Sequence, residues 1–148
     1  MKPSHAWQQH GTVSLWRYRD NARNFPGWQL TADAEGCASL LTLLDALHTE
    51  GAGASRTLRL SAPGPAQLAV PNNRDARWVA PQTMQLILDE DSGAWQWQPD
   101  GERQVLRLGV SALAGLRLGV LDIAAGQGDY SLGHGMEALW FWWWNAQR

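Results

Sequence analysis

The chain has little to work with in three respects. It carries one lysine, Lys2, and one cysteine, Cys37, and its longest apolar stretches are far shorter than a bilayer span. A single cysteine excludes an internal disulfide framework and suits a reducing compartment. Without a second lysine there is no Gly-Lys phosphate loop. With a net charge of −2 over 148 residues there is no basic stripe for nucleic acid. A membrane-crossing helix takes about 20 apolar residues, and residues 1–10 contain no apolar signal core. The expectation is a cytoplasmic protein with no membrane or nucleic-acid partner and no cofactor.

Phenylalanine and tyrosine are scarce as well, two of each, against ten tryptophans. The densest aromatic stretch is Trp140-Phe141-Trp142-Trp143-Trp144. Those five side chains bring on the order of 1,000 Å² to hide. Aromatic residues favour strands, where neighbours point to opposite faces. Trp140, Trp142 and Trp144 would then share one face, with Phe141 and Trp143 on the other. Such a strand is covered on both sides, either in the core or at a subunit interface.

The remaining pattern predicts a single α+β domain, residues 1–148. A mostly antiparallel sheet of about six to eight strands carries two packed helices, and residues 1–11 are read as a loose segment. Cys37, Leu40, Leu41, Leu44 and Leu47 recur at helical spacing, with Thr31 as a candidate N-cap and Gly51 placed to end the helix. Leu113, Leu116, Val120, Ile123 and Ala124 predict a second helix capped by Ser111 and ended by Gly126, although Leu116, Leu118 and Val120 also alternate as in a strand. Between the helices, alternation predicts strands near 83–89, 94–98 and 103–110. The turns Asp89-Glu90-Asp91-Ser92-Gly93 and Pro99-Asp100-Gly101 make these an antiparallel meander. No internal repeat is legible in the residue pattern.

Catalytic signatures fail one by one. Gly126 and Gly128 begin a dinucleotide fingerprint, but Ser131 stands where its third glycine belongs. Gly128 is one residue too far from Ser131 for a nucleophile elbow, and no HExxH or complete metal-ligand set occurs. Asp129, His134 and Glu137 could form an acid–base set, which keeps a hydrolase built around Asp129 and His134 as one alternative. A small-ligand or carbohydrate binder is another. The leading expectation is a non-enzymatic domain that binds another protein, including a second copy of itself as a homodimer, through a Trp-rich surface. Two segments have compositions that packing does not require. Arg74, Arg77 and Trp78 in the proline-rich stretch, with Asp129, Tyr130 and His134 in the glycine-rich turn, are the candidate binding residues, expected on one concave surface. Trp95, Trp97, Trp140, Trp142 and Trp144 are the candidate interface.

Overall fold

The computed structural model describes residues 3–19, 25–68, 77–128 and 130–144. Within them the chain runs α1 (Pro3–Ala6), β1 (Val13–Tyr18), β2 (Trp28–Ala32), α2 (Ala34–Glu50), β3 (Ser55–Arg59), β4 (Trp78–Val79), β5 (Thr83–Leu88), β6 (Trp95–Asp100), β7 (Arg103–Leu108), α3 (Val110–Ala124), β8 (Tyr130–Leu132), a 3₁₀ turn (Gly135–Glu137) and β9 (Leu139–Phe141). The strands form two mixed sheets, in the orders β4-β1-β2-β9-β8 and β3-β5-β7-β6. Both long helices pack on them. One apolar core joins the layers, drawing Leu15 and Leu30 from one sheet, Leu86 and Leu106 from the other, and Leu43, Leu44 and Val120 from the helices. No helix among the described residues is long and apolar enough to cross a membrane.

The α+β architecture is the one expected, but the meander is not. The three strands occupy nearly the expected spans, yet β7 lies between β5 and β6 and runs parallel to β5. The acidic turn therefore reverses the chain without making β5 and β6 neighbours. It crosses over the end of β7 at Gly109, where a Cβ would lie 2.0 Å from the carbonyl oxygen of Asp91. Only a residue without a side chain leaves room for that crossing.

The crossing belongs to a duplication of topology. The series β1-β2-α2-β3-β5 repeats as β6-β7-α3-β8-β9. In each half the first two strands pair antiparallel, as do the last two. Each half then lends its last pair to the other half's sheet, through parallel β2–β9 and β7–β5 contacts. The helices match at five buried positions. Buried Cys37, Leu40, Leu43, Leu44 and Leu47 in α2 correspond to buried Leu113, Leu116, Gly119, Val120 and Ile123 in α3 at one constant offset. The helix starts match too. Asp33 N–H donates to the Thr12 carbonyl at 3.1 Å, and Gly109 N–H to the Ala94 carbonyl at 2.9 Å, each just before its half's first strand. α3 is a helix because its apolar stripe completes this layer.

The cap residues differ from those expected. Thr31 is inside β2, and Asp33 is the N-cap of α2, its Oδ1 accepting from Gly36 N–H at 2.7 Å and Thr12 N–H at 2.9 Å. Ser111 is inside α3, whose N-cap is Gly109 with no side-chain bond. Gly51 does end α2, at φ 90°. Cys37 is core: burial first, then Asp33, pushes its thiol up to about 11. Of the segment expected to be loose, residues 3–11 are described, and contacts to α2 and β3 hold part of it. Trp7 is buried, and its indole N–H donates to the Ser39 carbonyl at 2.8 Å.

The face of the five-stranded sheet away from the helices carries a second cluster of Trp16, Tyr18 and Trp142, flanked by Phe25, Leu68, Ala80 and Trp140. Leu68 and Ala80, from the described parts of the proline-rich stretch on either side of residues 69–76, pack against this face. Trp142 donates to buried Gln29 at 2.6 Å, and Trp140 to the Pro26 carbonyl at 2.9 Å. Trp16 Nε1, Tyr18 Oη and Thr31 Oγ1 are buried with no hydrogen-bond partner among the described residues. Burial pushes the Tyr18 hydroxyl above its ordinary pKa.

Candidate functional site

β6 and β8 are each the last strand of a sheet, and an edge presents unpaired backbone groups. Their sequences place tryptophan on one and a glycine turn after the other. Alternation along β6 turns Trp95 and Trp97 to the same face, half-buried, while Gln96 and Gln98 are exposed. Both indoles donate to one acceptor, the Glu137 carbonyl oxygen, at 2.6 Å from Trp95 and 3.0 Å from Trp97. The bonds staple the edge of one sheet to the turn that precedes β9 in the other. An aromatic row continues inward. Trp95 meets Trp97 edge-to-face at 5.9 Å, Trp97 lies 5.5 Å from Trp28, and the Arg17 guanidinium sits 5.2 Å above Trp28.

Beyond Trp95 the staple leaves a recess of about 370 Å³, lined by Trp95, Ala112, Leu132, Gly133, His134 and Glu137. That is within the range of ligand pockets. Gly133 is required by conformation and by space: φ is 86°, and a Cβ would lie 2.8 Å from Trp95 Nε1. Exposed Val110, Met136 and Tyr130 belong to the elements that form its walls. A larger hollow of about 610 Å³ flanks the docked N-terminal segment, but its walls are that segment and the polar side of α2, including His10, Glu35 and Thr42.

The duplication shows what can occupy such an edge. Strand register makes Arg56 and Leu58 of β3 the counterparts of Tyr130 and Leu132 of β8. The edge of β3 is occupied by the chain's own N-terminal segment. Gln9 uses its side-chain amide like a strand, donating to the Arg59 carbonyl and accepting from Arg59 N–H, both at 2.7 Å. Two residues earlier, Trp7 is buried beneath the Arg56 guanidinium, 5.7 Å from its ring centre. Among the described residues, no such segment lies on β8 or β6.

The residues singled out from sequence fall in several places. Arg74 and Asp129 lie outside the described residues. Arg77 precedes β4 and accepts from Arg19 N–H through its carbonyl at 2.7 Å, and Trp78 in β4 is exposed. β4 and β8 are opposite edges of the five-stranded sheet, four strand spacings or roughly 19 Å apart. The structure therefore does not join Arg77 and Trp78 with Tyr130 and His134 in one concave surface. Tyr130 donates to Asp122 Oδ2 at 2.6 Å; burial and then that carboxylate push its hydroxyl up to about 12. His134 lines the recess together with Trp95, two residues far apart in the sequence. Trp140 and Trp142 form part of the second cluster; Trp144 is half-buried and Trp143 exposed. Leu132 and Gly133 belong to the glycine-rich turn singled out from sequence, whereas Ala112 completes the recess without any local signal, because the recess exists only where two edges meet.

Comparison with family models, with curated proteins and with solved structures finds no match to this chain.

Proposed function

We propose that this chain is a protein-interaction domain whose recess at the β6–β8 edge receives an apolar side chain from an extended segment of a partner. The observation that carries this is the occupied counterpart: β3 already holds such a segment, with Trp7 as its anchor and Gln9 as its backbone clamp. Strand addition at an exposed edge draws affinity from main-chain bonds and specificity from side-chain pockets. The recess supplies an indole wall, the Leu132 side chain and a glycine at which backbone can approach closely. Aromatic anchors in such pockets dominate binding energy.

The test is selection of phage-displayed random peptides on the full chain. Enrichment of peptides with a required apolar residue, and at least tenfold weaker binding to Ala112→Phe with unchanged circular dichroism, is the expected result. Binding unaffected by Ala112→Phe overturns the proposal. So does an absence of enriched peptides while free indole shifts the Trp95 and Leu132 resonances, which would make the recess a small-ligand pocket instead.

A further inference from the structure

The paired helices share five buried positions but expose different chemistry. On the outer face of α2 stand Glu35, Ala38, Thr42, Asp45 and Thr49, and their counterparts in and just after α3 are Ser111, Ala114, Leu118, Leu121 and Ala125. Leu118 is 62 % exposed and Leu121 38 %. The fold does not need leucine there, since α2 fills the same positions in the layer with threonine and aspartate. Ala114, Leu118, Leu121 and Ala125 step by four, three and four, which keeps them on one stripe of the helix.

We infer that this stripe is a two-fold interface with a second copy of the chain, with the two α3 helices antiparallel. Three observations select that occupant. The stripe reads Ala-Leu-Leu-Ala in either direction, so a two-fold axis between Leu118 and Leu121 sets each leucine against the other's mate and Ala114 against Ala125. An isologous interface requires this self-complementarity. The centre of a helix crossing makes the closest contact, and the leucines stand there. The stripe also presents no charge to a partner of its own kind. The two charged residues of α3 are turned to their own chain, Arg117 to Asp45 at 2.9 Å and Asp122 to Tyr130 at 2.6 Å.

Sedimentation of the full chain at micromolar concentration is the test. Wild type sediments as a dimer. Leu118→Thr with Leu121→Asp, the pair that α2 carries, sediments as a monomer with an unchanged circular dichroism spectrum. Ala114→Glu alone and Ala125→Lys alone each weaken the dimer at least tenfold, and the two together restore it, because each glutamate then faces a lysine of the other copy. Monomeric wild type overturns the inference, as does a dimer that survives Leu118→Thr/Leu121→Asp. Failure of the charge pair to restore association overturns the antiparallel arrangement. Neither set of substitutions touches a residue lining the β6–β8 recess, so peptide binding there is unchanged throughout.

Discussion

Gly119 of α3 lies flat against the Phe141 ring: a Cβ at position 119 would stand 2.4 Å from Cε1 and Cζ. Phe141 is fully buried, and in α2 the counterpart of Gly119 is Leu43. One half fills this point of the helix layer with a helix residue, the other with an aromatic residue from β9. Gly119→Ala should gain about 1 kcal/mol in helix propensity and lose more to overpacking, which typically costs about 1–3 kcal/mol. Chemical denaturation should show net destabilisation. Phe141→Leu, destabilising in the wild type, should be less so in the Gly119→Ala background. Additive effects of the two would contradict the contact.

Asp33 bonds two N–H groups from different elements, one in its own helix and one before β1. Asp33→Ala should destabilise by about 0.5–2 kcal/mol in denaturant, the range for loss of an N-cap. Asp33→Asn should retain most of the stability, because its carbonyl oxygen accepts the same bonds. Equal loss in both variants would mean that charge, and not the cap, matters there.

Tyr130 has a folded-state pKa of about 12 against an ordinary 10.0. A raised pKa favours the protonated phenol in the folded protein. The associated stability is therefore fully present below pH 10 and is lost as pH rises from about 10 toward 12. Ultraviolet titration should show no tyrosine ionising at its ordinary pKa, since Tyr18 is also raised. Asp122→Asn should bring Tyr130 back toward its ordinary value. An unmoved titration would rule out the bond to Asp122 as a cause.

How far the residues foretell this structure depends on the range of the interaction. The stripe of α2 and the strands around Leu86, Trp95 and Leu106 are written in local periodicity, and they stand where expected. Pairing is not local. The acidic turn after β5 states that the chain reverses, but what sends β7 between β5 and β6 is the exchange of strand pairs between the two halves. The duplication itself is hidden because Leu43 answers to Gly119 and Cys37 to Leu113; burial is preserved while identity is not. Trp140 to Trp144 read as one strand covered on both faces, but the strand is only β9, Leu139–Phe141, a central strand between β2 and β8, and Trp143 beyond it is exposed. The cover comes from the chain itself, with Phe141 in the main core and Trp142 in the second cluster. The recess is the least legible feature. Trp95 and His134 are named by composition, but the bonds from Trp95 and Trp97 to the Glu137 carbonyl, which join β6 to the turn after His134, are not.

The most direct measurement follows the indole N–H signals of the protein by nitrogen-15 NMR while a selected peptide saturates it. If the β6–β8 recess is the site, Trp95 and Trp97 shift together with the backbone amide of Gly133, while Trp140 and Trp142 keep their positions. Unmoved Trp95 and Trp97, with the peptide's effects confined to Trp140, Trp142 and Trp143, would place binding on the aromatic end of the chain and contradict the recess as the site.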